Sequence, residues 1–144
     1  MLTTRVRDLV EPSKLVVAAP RDSVAKAVRK MERSKVGAVL VMERGRLVGI
    51  FTERDAVYRV MARGLEPATT LLRQVMTPDP RTVASDESFG HALLLMHEHG
   101  FRHAPVIEDG RPIGVVSARH ALDPDLEEFT VEADRRKSFR RRST

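Results

Sequence analysis

A segment of this chain is written twice, 65 residues apart, and no other feature limits its possible folds as strongly. Gly37 to Gly49 lies over Arg102 to Gly114. From Val17/Thr82 to Val57/Leu122 the copies align over 41 positions without a gap. Eleven pairs are identical, among them Met31/Met96, Gly45/Gly110, Gly49/Gly114 and Arg54/Arg119. Most other pairs keep apolar opposite apolar. Upstream, Val10-Glu11-Pro12 matches Met76-Thr77-Pro78 at an offset of 66, one residue out of step. The 144 residues are therefore two copies of one unit, 1–65 and 66–128, followed by a basic stretch, 129–144.

Each copy reads the same way. Leu15-Val16-Val17 and Arg81-Thr82-Val83 are expected to be first strands. Val24, Ala27, Val28 and Met31 fall at i, i+3, i+4 and i+7, one face of a helix; Phe89, Ala92, Leu93 and Met96 repeat the pattern. Asp22 and Asp86 are the expected N-caps. Two apolar runs then flank Glu43-Arg44-Gly45-Arg46 in one copy and Glu108-Asp109-Gly110-Arg111 in the other, which predicts a hairpin in each. A second helix is expected from Thr52 to Gly64, and its copy from near Ser117. The order is β-α-β-β-α, twice, in an α/β fold. A unit this small buries only about 60% of its unfolded surface and is marginal alone. Right-handed crossovers put the helices on one side of each sheet. The strand runs are apolar without alternation, so the other side needs cover as well. Packing the two sheets face to face about a pseudo-two-fold axis supplies it, and leaves two clefts where small ligands tend to sit.

Charge argues against nucleic-acid binding by the repeats themselves. The formal net charge is +5, but six of the 25 Lys and Arg residues lie after Asp134 and no acid does. Residues 1–134 thus carry 19 basic against all 20 acidic side chains. With five Phe, one Tyr and no Trp, the chain is also short of stacking platforms. Nucleic acid is expected only through the tail, Arg135 to Thr144, which is expected to be disordered. The lack of Cys excludes disulfides, thiol catalysis and cysteine-based zinc sites. His91, His97, His99 and His103 show no spacing that brings three ligands to one face, so no metal is expected. There is no P-loop, nucleophile elbow or dinucleotide fingerprint, and no enzyme activity is expected. No apolar run reaches the ~18 residues of a membrane span. Met1-Leu2-Thr3-Thr4-Arg5 lacks the apolar core of a secretory signal, so a cytoplasmic protein is expected.

The repeat carries a resemblance. Gly49-Ile50-Phe51-Thr52-Glu53-Arg54-Asp55 and its copy Gly114-Val115-Val116-Ser117-Ala118-Arg119-His120, each behind a hairpin, resemble the motif of CBS domains. Phe101-Arg102-His103-Ala104-Pro105-Val106 is similar to that family's apolar-Pro-Val strand start. Together the copies resemble a tandem CBS pair, a Bateman module, from Val6 to Leu122. The resemblance implies a regulatory ligand sensor and not a catalyst. Its ligand would be an adenosine compound (AMP, ADP, ATP or S-adenosylmethionine), with no required cofactor. It also implies a homodimer and a separate regulated protein. Asp55 would accept the ribose hydroxyls. Thr52 and Ser117 would face a phosphate from helix starts. Arg102 and His103 would contact phosphate at the cleft mouth. Thr82, Val83 and Ala104 would line an adenine slot, with Pro105 beside them.

Thr-x-x-Asp also spells a capping box with Asp at the third helical position, so capping and ligand roles both stand open for Thr52 and Asp55. Two departures predict unequal clefts. His120 stands where the family's ribose-binding Asp is expected, and Leu40 stands where Pro105 sits in the second copy. The competing reading is a structural dimerisation module with empty clefts and a polyanion-binding tail.

Overall fold

The computed structural model describes residues 2–122 and 135–136. The chain runs β1 (Val17–Ala18), α1 (Val24–Ser34), β2 (Ala38–Glu43), β3 (Arg46–Thr52) and α2 (Glu53–Asp55), which continues as a π-helical stretch, Ala56–Met61. Then come α3 (Leu72–Val75), β4 (Thr77–Pro78), β5 (Val83–Ala84), α4 (Phe89–His99), β6 (His103–Glu108) and β7 (Arg111–Ser117). Tight 3-10 turns stand at Val6–Asp8, Pro12–Lys14 and Ala118–Leu122.

Local chemistry sets these elements. The Ser23 hydroxyl accepts the Lys26 N–H at 3.1 Å and starts α1; the Ser88 hydroxyl accepts the His91 N–H at 3.2 Å and starts α4. Serines cap, therefore, and the expected Asp22 and Asp86 do not. The Asp22 carboxylate turns back to the Ala19 N–H at 2.8 Å. That bond, with help from Lys26, holds its carboxyl below the usual range. Glu87, not Asp86, repeats the bond, taking the Ala84 N–H at 3.3 Å. On α1, Val24, Ala27 and Met31 are buried as the periodicity predicts, but Val28 is 40% exposed and lies off the core.

Both hairpins turn through two left-handed residues, Arg44-Gly45 (φ 51° and 77°) and Asp109-Gly110 (φ 51° and 74°). In each sheet the first strand pairs parallel to the second, and the second antiparallel to the third. A register shift falls at Val41/Met42 in one sheet and Val106/Ile107 in the other, the same place in both copies. The first sheet gains a fourth strand, because β4 pairs with β3 at Gly49↔Pro78 and Ile50↔Thr77.

Among the described residues three apolar clusters form. In the first, α1 covers its own sheet through Val24, Ala27, Met31, Val39, Val41 and Phe51. In the second, α4 does the same through Phe89, Ala92, Met96, Ala104, Val106 and Val116. A smaller cluster, Ala38, Leu40 and Ile50 with Leu15, Leu47 and Val115, joins the sheets across the pseudo-axis. The expected face-to-face packing of two β-α-β-β-α repeats is therefore present.

The cores also exchange pieces. Leu72 and Val75, at the start of the second repeat, belong to the first core, whereas Val6, at the start of the first repeat, belongs to the second core. Isolated bridges Ser23↔Leu71 and Arg5↔Ser88 fix the two crossings at equivalent positions. Fully burying a side chain such as Leu72 or Val6 stabilises by about 1.5–3 kcal/mol. Each marginal unit is thus completed by the leading segment of the other.

Candidate functional site

The exchange shapes a cleft. Where β3 ends and α2 begins, the lead-in of the second repeat crosses in front and the start of β6 closes the far side. This open cleft has a volume of about 890 Å³, toward the upper end of the ~300–1,000 Å³ common for small-molecule sites. Ile50, Thr52 and the α2 residues Glu53, Arg54 and Asp55 form one wall; Thr77 and Asp79 to Arg81 form another. Phe101, Arg102 and His103 complete it, with Arg119 reaching over from the second repeat.

Thr52 and Asp55 are locked to each other. The Thr52 hydroxyl accepts the Asp55 N–H at 3.3 Å, and Asp55 Oδ2 accepts the Thr52 N–H at 3.0 Å. The capping reading of Thr-x-x-Asp is thus realised in both directions. The other carboxylate oxygen, Oδ1, stands 3.5 Å from the Arg59 guanidinium, one helical turn on. Arg59 also donates to the Val75 and Met76 carbonyls, each at 3.2 Å, which ties α2 to the crossing lead-in. A carboxylate offers about four acceptor positions. Oδ2 is occupied twice by Thr52, while Oδ1 has only the long Arg59 contact and keeps acceptor capacity.

Among the described residues the cleft is cationic: five arginines (54, 59, 81, 102 and 119) line it against three carboxylates (53, 55 and 79). Arg81 and Arg102 make no ion pair among the described residues. Arg54 lies over the Tyr58 ring at 5.1 Å. His103 lies deeper. Burial pushes its imidazole below the ordinary range, Glu53 opposes this, and Arg119, Arg102 and His120 add to the depression.

Of the residues expected at the site, Thr52, Asp55, Arg102 and His103 line this cavity. Thr82 is exposed beside Arg81. Val83 and Ala104 are buried in the second core, so their side chains face α4 and not the cavity. Pro105 is buried in β6 opposite Val115. Ser117 and His120 stand in the second motif. His120 Nδ1 lies 3.0 Å from the Ser117 nitrogen, so as the Nε2–H tautomer it accepts the N–H that Asp55 accepts in the first copy. Its ring meets Phe89 edge-on at 6.3 Å. Arg59, Arg81 and Arg119 were not anticipated. Arg119 had a signal, because it copies Arg54, but only the three-dimensional crossing sends it to the other repeat's cleft.

The equivalent positions of the other half carry different residues. Gly37 and Ala38 replace Arg102 and His103, and Leu15-Val16 replaces Arg81. In that half Lys14 donates to the Ser34 carbonyl at 2.9 Å. Among the described residues no His, Cys, Asp and Glu group fit for a metal ion occurs, and no helix is long and apolar enough to cross a membrane. Of the basic tail, Arg135 and Arg136 are helical and exposed; the remainder lies outside the described residues.

Comparison with known proteins agrees with this architecture. The family model for the CBS domain matches twice, at residues 6–62 and 72–125. The CBS domain-containing protein CBSCBSPB3 of Arabidopsis thaliana is 33% identical over 117 residues, 78% of this chain and 21% of its own length. The chain thus spans about a fifth of that relative. A putative signal-transduction protein with CBS domains from Burkholderia ambifaria superposes with a TM-score of 0.78 at 27% identity, covering 86% of this chain and 95% of that one. A CBS domain protein of Pyrobaculum aerophilum, solved in complex with AMP, superposes with a TM-score of 0.73 at 23% identity, over 81% of this chain and 89% of that one.

Proposed function

Since the chain belongs to the CBS domain family, whose members are generally regulatory and not catalytic, we propose that it is a ligand sensor that binds an adenine nucleotide in the first cleft. The observation that carries this reading is the convergence of Thr52, Asp55, Arg102 and His103 on one cavity with Arg81 and Arg119. Asp55 Oδ1 takes a ribose hydroxyl at the expense of its long contact with Arg59. The arginines take the phosphate, for which their forked donors are suited. Among the adenosine ligands, this favours AMP, ADP and ATP over S-adenosylmethionine, whose sulfonium would enter a cationic cleft. Adenine lies against the aliphatic wall of Ile50 and its neighbours. Occupancy is passed to a regulated protein, and the sensor acts in the cytoplasm as a homodimer. Val57, Tyr58 and Met61, exposed along one helix, suit contact with a second copy.

A thermal-shift series with AMP, ADP, ATP, adenosine and S-adenosylmethionine tests the reading. A nucleotide at about 100 times its Kd stabilises by about 2.7 kcal/mol. Asp55→Asn keeps an oxygen for the Thr52 cap but loses the charge, and should weaken binding by roughly ten- to a hundredfold. If no adenosine compound shifts the melting temperature, the cleft is empty and the dimerisation-module reading replaces this one.

A further inference from the structure

The nucleotide cleft contains an anion of its own. Glu53 opens α2, and its backbone N–H donates to the Gly37 carbonyl at 3.0 Å. Its carboxylate stands against Gly37, where a Cβ on that glycine would collide with it. From there Oε1 reaches to within 3.6 Å of the Arg119 guanidinium. Glu53 belongs to the first repeat and Arg119 to the second, so the pair spans their junction at the mouth of the cavity. The second cleft cannot form its counterpart, because Ala118 copies Glu53 and Arg102 copies Gly37. Both partners are largely exposed, at 59% and 73%, and an exposed pair yields readily to a stronger anion.

We propose that Glu53 is a resident competitor for the ligand: it holds Arg119 while the cleft is empty, and a phosphate of the ligand displaces it. Charge then selects the ligand. A polyphosphate offers Arg119 more than one carboxylate does, whereas uncharged adenosine leaves the pair intact. Occupancy also acquires a structural consequence, since the contact it breaks joins the two repeats. The inference rests on the nucleotide reading above, but its test does not depend on the adenosine part.

Calorimetry on the full chain at low salt measures tripolyphosphate, ATP and adenosine against the parent, Glu53→Gln, Arg119→Ala and the double variant. Gln keeps the side-chain length and the backbone bond to Gly37. Glu53→Gln should tighten tripolyphosphate and ATP by about two- to fivefold, the scale of an exposed ion pair, and leave adenosine unchanged. That gain should vanish on the Arg119→Ala background and fade at high salt. Tripolyphosphate that does not bind, or binds Glu53→Gln no more tightly than the parent, overturns the proposal. So does a gain that survives loss of Arg119. Tightened tripolyphosphate with no binding of any adenosine compound keeps the competitor and overturns the adenosine reading.

Discussion

At the scale of single residues, the two copies solve one capping problem with different chemistry. Asp55 and His120 occupy equivalent positions and each receives the N–H of its own N-cap residue, Thr52 or Ser117. The capping box was legible because it needs only a local spacing. The choice of Ser23 over Asp22 was not, because adjacent residues both qualify and the first helical dihedral decides between them. Thr82, Val83 and Ala104 stand near the cleft in sequence, but strand alternation turns the last two side chains toward α4. His103 supports a pH prediction. Burial lowers its folded pKa below the ordinary 6.5, so just under that pH the unfolded chain binds more protons than the folded one. Stability present above 6.5 is therefore lost as the pH falls from there toward the depressed folded value. Melting temperatures followed from about pH 8 to about pH 5 should fall less in His103→Asn than in the parent. Parallel profiles would contradict the burial of a neutral imidazole.

Among the elements, the hairpins and both long helices could be read from periodicity and turn residues alone. The exchange of lead-in segments could not. Val6, Leu72 and Val75 are apolar in either arrangement, and nothing in a local pattern says which core receives them. The one trace was the match of Val10-Glu11-Pro12 to Met76-Thr77-Pro78. The structure gives that match a meaning, because Val10 passes over Gly114 and Met76 passes over Gly49. A Cβ on Gly114 would stand 2.6 Å from the Val10 Cβ, which is held close to the backbone. On Gly49 it would meet the Met76 sulfur, the far end of a flexible side chain. Gly114→Ala should therefore cost about 1–3 kcal/mol and Gly49→Ala less, as measured by urea unfolding. Equal, negligible costs would mean that the lead-ins do not cross where the structure puts them.

For the whole molecule, the repeat predicted two sheets, two cores and two clefts, and those expectations needed only symmetry. The departures from symmetry set the cleft at Asp55 apart. His120 for Asp55 and Leu40 for Pro105 pointed to inequality in the sequence. The larger asymmetry, Arg81, Arg102 and His103 against Leu15-Val16, Gly37 and Ala38, becomes visible only when both walls of each cleft are known. The central claim is that one cleft per chain, built on Asp55 and walled by arginines, takes an adenine nucleotide. Its most direct test is a calorimetric titration of the full chain with AMP and ATP, which reads affinity and stoichiometry together. One strong site per chain is expected, weakened roughly ten- to a hundredfold in Asp55→Asn. Two equal sites per chain, or binding that survives Asp55→Asn unchanged, would contradict it.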